Sequence, residues 1–117
     1  MNAIYLNLYK RLIDLYRNHD PLHIVTYTPD EKQIIFESRQ NVTDVIMWDD
    51  HIIVTFANGN GTLRIYETDN IAYGSHECIQ DIERETSFII DYGNILIKLN
   101  TITGSELAIM INDLEIS

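Results

Sequence analysis

The segment 41–70 carries the strongest structural pattern in the chain, and it predicts three antiparallel strands joined by tight turns. Its first run, residues 42–48, is rich in β-branched and aromatic residues, which favour a half-buried strand. Asp49-Asp50 supply a turn, because their short carboxylates bind local backbone groups. The next run, residues 51–57, is apolar on both faces and predicts a central strand that is covered on both sides.

The link after this strand is Asn58-Gly59-Asn60-Gly61, and residues 62–67 return as the third strand. Two Asn-Gly dipeptides supply positive φ at low cost, which is the strongest short-range signal for a hairpin. A phosphate-binding loop would need a helix after the glycines and usually a lysine. A strand follows here and the loop has no lysine, so the hairpin is favoured over nucleotide binding.

A helix is predicted ahead of this meander. Asn2 is placed to cap it, and the helical pattern runs to about Arg17. Apolar residues recur at spacings of three and four, so they share one helical face. That face includes Tyr5, Tyr9 and Tyr16, whose phenols need polar partners. We expect the face to pack on the sheet rather than to stack on nucleic-acid bases.

Two further strands are predicted between this helix and the meander. Pro21 ends the helix, and strict alternation over residues 22–28 indicates a strand. After a proline turn, residues 32–38 predict the returning strand, with Ile34 and Phe36 facing inward. With the three strands of the meander, this gives five strands in chain order, which favours an antiparallel sheet.

The second half of the chain has weaker patterns. Residues 70–75 indicate a loop, and residues 76–85 predict a short helix with an exposed acidic row. A strand pair is predicted over residues 86–91 and 95–101. Residues 105–116 fit a helix that Ser105 would cap, although their apolar run also fits a strand; the helix is favoured.

These elements define an α+β fold in one domain over residues 1–117: an N-terminal helix packed on an antiparallel meander of five or more strands, with one or two further short helices. The length is sufficient for one hydrophobic core. The residues expected to be buried together in that core are Leu8, Leu12, Trp48, Ile52, Val54 and Phe56.

The charge is strongly negative, with 18 acidic against 8 basic residues among 117 and a net charge of −10. This disfavours direct binding to nucleic acid or to an anionic membrane, because phosphate contacts need Lys and Arg. It favours either solubility alone or attraction to a basic protein. No apolar run is long enough to span a bilayer and no secretory signal precedes the first helix, so we expect a cytoplasmic protein.

No sequence motif indicates a reaction, so a non-enzymatic protein without cofactor or metal is expected. Cys78 is the single cysteine, which excludes an internal disulfide. Asp49, Asp50 and His51 carry ligand atoms for a metal, but they sit together in one turn and no second histidine-rich segment accompanies them. We therefore interpret these three residues as part of a solvated turn rather than as a metal site.

The acidic residues suggest a function. In size and charge the chain resembles small acidic phage inhibitors, such as anti-CRISPR and anti-restriction proteins, and immunity proteins against nuclease toxins. The resemblance implies an inhibitor that mimics DNA and blocks a basic, nucleic-acid-handling protein. The alternative is a homo-oligomeric structural or assembly subunit, for example a homodimer that pairs through an exposed strand edge or the first helix. The residues expected to contact a basic partner are Glu67, Asp69, Glu77, Asp81, Glu83 and Glu85.

Overall fold

The computed structural model of the chain describes residues 2–30, 33–79 and 82–116. These residues form two α-helices and seven β-strands, together with a short 3-10 turn at Ala57–Gly59. The elements follow in the order α1 (Ala3–Asn18), β1 (Pro21–Tyr27), β2 (Ile34–Met47), β3 (His51–Phe56), β4 (Thr62–Tyr66), β5 (Asn70–Ile79), β6 (Ile82–Asp91), β7 (Leu96–Asn100) and α2 (Gly104–Ile116).

All seven strands belong to one antiparallel sheet, with the spatial order β4-β3-β2-β1-β7-β6-β5. The N-terminal helix packs on this sheet, so the predicted α+β fold is confirmed. The outermost strands, β4 and β5, are consecutive in the chain and are joined by residues 67–69 alone. Six steps of about 4.8 Å would separate the edges of a flat sheet by roughly 29 Å. A three-residue link spans roughly 14 Å at most, so the sheet curls.

Helix α1 lies inside this curl. The side chain of Asn2 accepts a hydrogen bond from the backbone N–H of Ile4 at 2.9 Å, which caps the helix as expected. The α1 residues with no exposed surface are Tyr5, Leu8, Leu12 and Leu15. They share one core with residues from both edge strands and the centre of the sheet: Val42, Val45, Ile52, Val54, Phe56, Ile65, Ile71, Phe88, Ile90 and Leu99.

The hairpin predicted at residues 58–61 is present. Asn58, Gly59 and Gly61 have φ angles of 60°, 69° and 94°, which Asn and Gly tolerate best. The backbone N–H of Phe56 donates to the carbonyl of Gly61 at 3.0 Å and closes the loop. In β4, Ile65 is buried while Arg64 is exposed, which matches the alternation in the sequence.

Before residue 67 the chain forms four strands, where five were expected. The runs 32–38 and 42–48 were predicted as separate strands, but one strand, β2, extends through both. The residues between them, Arg39-Gln40-Asn41, include neither glycine nor proline, so nothing breaks the extended backbone. Their pairing with β1 continues to Asn41, and pairing with β3 begins at Val42.

Three residues expected in the core are exposed. Ile34 and Phe36 are 54% and 56% exposed, because they lie at the end of β2 where only β1 pairs with the strand. Trp48 is 55% exposed, because β2 ends at Met47 and Trp48 lies in the turn that follows. Strand β3 is covered on one face only: Ile52, Val54 and Phe56 are buried, and the intervening residues are partly exposed.

The loop predicted at 70–75 and the helix predicted at 76–85 are both wrong. Residues 70–79 form β5, which pairs antiparallel with β6. Within this pairing Glu77 lies opposite Arg84, and Cys78 lies opposite Glu83. Pairing with the long strand β6 outweighs the local helical pattern. Residues at helical spacing therefore do not form the acidic row expected there.

The C-terminal segment is helical, as favoured, but Thr103 caps α2 instead of Ser105. The Thr103 hydroxyl accepts the Glu106 N–H at 3.2 Å, and the Glu106 carboxylate accepts the Thr103 N–H at 3.0 Å. This reciprocal pair is a capping box. Arg11 of α1 binds the same carboxylate through both terminal nitrogens, at 2.6 and 3.1 Å, and its Nη2 also donates to the carbonyl of Thr101 at 2.7 Å. The network fixes the start of α2 against α1.

Phe56→Ala and Trp48→Ala should differ in stability, because the first removes a buried ring and the second an exposed one. Phe56 is 8% exposed, so its truncation should lower the free energy of unfolding by about 3–5 kcal/mol. Trp48 is 55% exposed, so its truncation should cost about 1 kcal/mol or less. Chemical denaturation of both variants measures the difference. Equal destabilisation would contradict the placement of either ring.

Glu106→Gln should destabilise the fold in a pH-dependent way. Burial alone would raise the pKa of Glu106, but hydrogen bonds from Arg11 and Thr103 outweigh it and hold the pKa below its ordinary value. The carboxylate therefore stabilises the fold above its unfolded pKa, and this stabilisation is lost as the pH falls through the folded pKa. We expect Glu106→Gln to lower the free energy of unfolding by about 3 kcal/mol near neutral pH.

The two proteins should become similar in stability only once the pH has fallen below the folded pKa of Glu106, which itself lies below the ordinary value for a glutamate. Thermal melting across the pH range measures this convergence. The matched control is Glu37→Gln, which removes an exposed carboxylate bound to His23 at 2.7 Å and should cost about 0.5 kcal/mol. A constant difference between wild type and Glu106→Gln at all pH values would show that the Arg11 contact does not depend on the carboxylate charge.

Candidate functional site

Two turns meet at one end of the sheet. Residues 48–50 join β2 to β3, and residues 67–69 join β4 to β5. They meet because β3 pairs with β4 in a register that sets His51 opposite Tyr66. The backbone N–H of Glu67 donates to the carbonyl of Asp50 at 2.9 Å and links the turns directly. We call this surface the acidic-aromatic end; it comprises Trp48, Asp49, Asp50, His51, Tyr66, Glu67, Asp69 and Tyr92.

Three aromatic rings form its platform. The His51 imidazole lies between the Trp48 indole and the Tyr66 phenol, with ring centroids 6.3 and 5.6 Å away. Trp48 and Tyr66 remain 55% and 40% exposed. His51 is held in place by Asp50, whose Oδ1 lies 2.6 Å from Nδ1. This hydrogen bond lowers the pKa of Asp50, so the carboxylate stays charged at neutral pH.

The carboxylates around the platform share one electrostatic environment. The buried Tyr5 hydroxyl donates to the carbonyl of Trp48 at 3.4 Å, which places the phenol beneath the first turn. Burial raises the pKa of Tyr5, and the charges of Glu67, Asp50 and Asp49 raise it further. Three carboxylates from two turns therefore act on the same buried phenol.

Asp69 extends the negative surface toward Tyr92. Its Oδ2 accepts the backbone N–H of Tyr66 at 2.8 Å and the Tyr92 hydroxyl at 3.2 Å. Burial and the Asp69 charge raise the pKa of Tyr92 to about 12. The charge of Arg64 also acts on Asp50, after the larger effects of His51. Four carboxylates thus surround exposed rings, an arrangement that attracts Lys and Arg by charge and offers their cations an aromatic face.

The predicted partner-binding residues fall into two groups. Glu67 and Asp69 lie at the acidic-aromatic end. Glu77 belongs to β5, and Glu83 and Glu85 belong to β6, but their side chains lie outside the described part of the molecule. Asp81 also lies outside the described residues.

Sequence reasoning missed the residues that complete this end. Asp49 and Asp50 were interpreted as a solvated turn, and Trp48 was placed in the core. Their signal was an acidic pair directly after an aromatic residue and before a histidine, but its relation to Glu67 depends on the pairing of β3 with β4. Among the described residues, no group of three or more Asp, Glu, His or Cys is arranged to hold a metal ion.

The chain matches no protein-family model, no curated protein and no solved structure. Within the described residues, neither helix is long and apolar enough to cross a membrane.

Asp69→Asn should lower the pKa of Tyr92 from about 12 towards 10, because it removes a negative charge that opposes ionisation of the phenol. Asparagine keeps an oxygen that can accept the Tyr66 N–H, so the turn should persist. A carbon-13 NMR titration of the tyrosine rings, with Tyr92→Phe for assignment, measures the shift. The control Asp44→Asn removes an exposed carboxylate from β2 and should leave Tyr92 unchanged. An unchanged pKa in Asp69→Asn would contradict the contact.

Proposed function

We propose that this protein is a non-enzymatic inhibitor that binds a basic, nucleic-acid-handling protein through its acidic-aromatic end. The observation that carries the proposal is the contact of the His51 ring with the exposed rings of Trp48 and Tyr66, at the two turns that also carry Asp49, Asp50, Glu67 and Asp69. Exposed tryptophan and tyrosine are enriched among residues that dominate binding energy at protein interfaces. A solvated turn would need the carboxylates but not the exposed rings.

The net charge supports the same class of partner. At −10, the chain repels nucleic acid and is drawn to a surface rich in Lys and Arg. Such a surface on a nucleic-acid-handling protein normally binds phosphates. Carboxylates can bind these Lys and Arg side chains in place of phosphates. The aromatic platform can contact an Arg or Lys cation through its ring faces, in place of a nucleic-acid base. The inhibitor would then compete with nucleic acid for one groove.

The carboxylates and the aromatic rings should affect binding kinetics in different ways, so single variants can test the proposal. Carboxylates at a rim mainly speed association and make binding salt-dependent. A central aromatic residue mainly slows dissociation. Asp49→Lys and Trp48→Ala separate these contributions, because both side chains are exposed and their change should leave the fold intact.

The experiment uses wild-type protein as bait in a cell lysate, at low and high salt. The affinity of the captured basic protein is then measured for wild type and for each variant. Asp49→Lys should weaken binding by about tenfold or more and flatten its salt dependence. Trp48→Ala should weaken binding by about thirtyfold while keeping the salt dependence. The matched control is Asp44→Lys, the same charge change at an exposed residue of β2, five residues before Asp49 and roughly 16 Å away along an extended chain.

Nucleic acid provides the decisive competition. A duplex or single strand that the captured protein binds should displace the inhibitor. Simultaneous binding of both, or an affinity that neither salt nor Asp49→Lys changes, would refute inhibition by this surface. The alternative function, a homo-oligomeric assembly subunit, is favoured by a different part of β2, described next.

A further inference from the structure

Half of β2 has a free edge. The strand pairs with β1 from Ile34 to Asn41, and with β3 only from Val42 to Met47. Along residues 34–39, the side of β2 away from β1 therefore has no neighbouring strand in the described chain. An antiparallel strand directs half of its N–H and C=O groups to each side. The free edge of β2, residues 34–39, thus presents backbone groups that a further strand can pair with.

The free edge ends at a defined point. The Asn60 side chain donates to the Gln40 side-chain oxygen at 2.9 Å, so the β3–β4 hairpin closes over the strand there. Toward the other end, Ile34, Ile35 and Phe36 are 54%, 55% and 56% exposed. Ile35 has no partner in the β1 ladder, because the register shifts at this point. Three consecutive large apolar residues on an unpaired edge are the arrangement that isolated proteins usually avoid.

The charge of the free edge differs from that of the whole chain. Residues 34–39 carry one carboxylate, Glu37, and one guanidinium, Arg39, so the segment is neutral in a chain of net charge −10. A basic protein is therefore not attracted to it. A second copy of the chain meets no net repulsion from it, and gains the burial of apolar residues on both sides.

We propose that two copies of the chain associate through the free edge of β2, strand against strand, around a two-fold axis. An antiparallel strand edge is complementary to itself under a two-fold rotation, so one surface serves both protomers. The proposal is independent of the inhibitor function.

The dimer has a consequence for the acidic-aromatic end. Trp48 lies nine residues beyond Arg39 along the chain, about 30 Å in an extended strand. Each acidic-aromatic end therefore lies away from the shared edge and stays accessible. A dimer presents two such ends and could engage two sites at once, which raises the overall affinity if both can be reached.

Sedimentation velocity over a range from micromolar to near-millimolar protein tests the association. Wild type should shift from the monomer to twice its mass as the concentration rises. Phe36→Glu and Ile35→Glu should raise the dissociation constant by about thirtyfold or more, since each places a charge in an apolar contact. The matched control is Ile46→Glu, at an exposed isoleucine of β2 that lies outside the free edge; it should dimerise like wild type.

Hydrogen exchange on the wild type provides a test that needs no variant. Amides within residues 34–39 should exchange more slowly at high than at low concentration, while those of residues 48–51 should not change. A wild type that stays monomeric throughout would overturn the proposal. So would a dimer that Phe36→Glu and Ile35→Glu leave intact, or protection confined to α2 or to the acidic-aromatic end.

Discussion

The packing of α1 inside the curled sheet is the interaction on which the rest of the structure depends. Leu8 and Leu12 have no exposed surface and belong to the same core as Ile65 and Ile71, which lie on opposite edges of the sheet. Each such side chain contributes about 1.5–3 kcal/mol when fully buried. A flat sheet would leave these edges far apart and their apolar residues in water. The helix therefore determines the curvature, and the curvature brings β4 and β5 close enough for a three-residue turn.

That curvature also assembles the acidic-aromatic end. Glu67 and Asp69 lie in the turn between the edge strands, and the pairing of β3 with β4 sets them beside Asp50. Asp50 and Asp69 bind a neighbouring ring or backbone group while their charge still faces a largely exposed surface. Like charges are kept together because each turn is anchored by backbone pairing, and because hydrogen bonds to Asp50 and Asp69 offset part of their repulsion.

The molecule separates two kinds of surface along one strand. Strand β2 carries a neutral apolar edge at its start and leads at its end to an exposed tryptophan among carboxylates. The first surface is the one we propose for a second copy of the same chain, and the second is the one we propose for a basic protein. At the other end of the chain, the buried Arg11–Glu106 pair fixes where α2 begins. Removing one member would leave the other charged and poorly solvated, which is why a single substitution in the pair should be costly.

The sequence by itself determined the elements whose signals are local. Asn2 predicts the cap of α1, alternation predicts β1 and β4, and Asn58 to Gly61 predict a hairpin, because capping and positive φ depend on a few neighbouring residues. The acidic surroundings of Glu67 and Asp69 also led to the prediction that these residues contact a basic partner, which stays a prediction. Only the tertiary structure decided that residues 76–79 and 82–85 are extended, that Trp48 is exposed, and that Asp49 and Asp50 join Glu67. These outcomes depend on strand pairings between distant residues, which carry no signal in any short stretch of the chain.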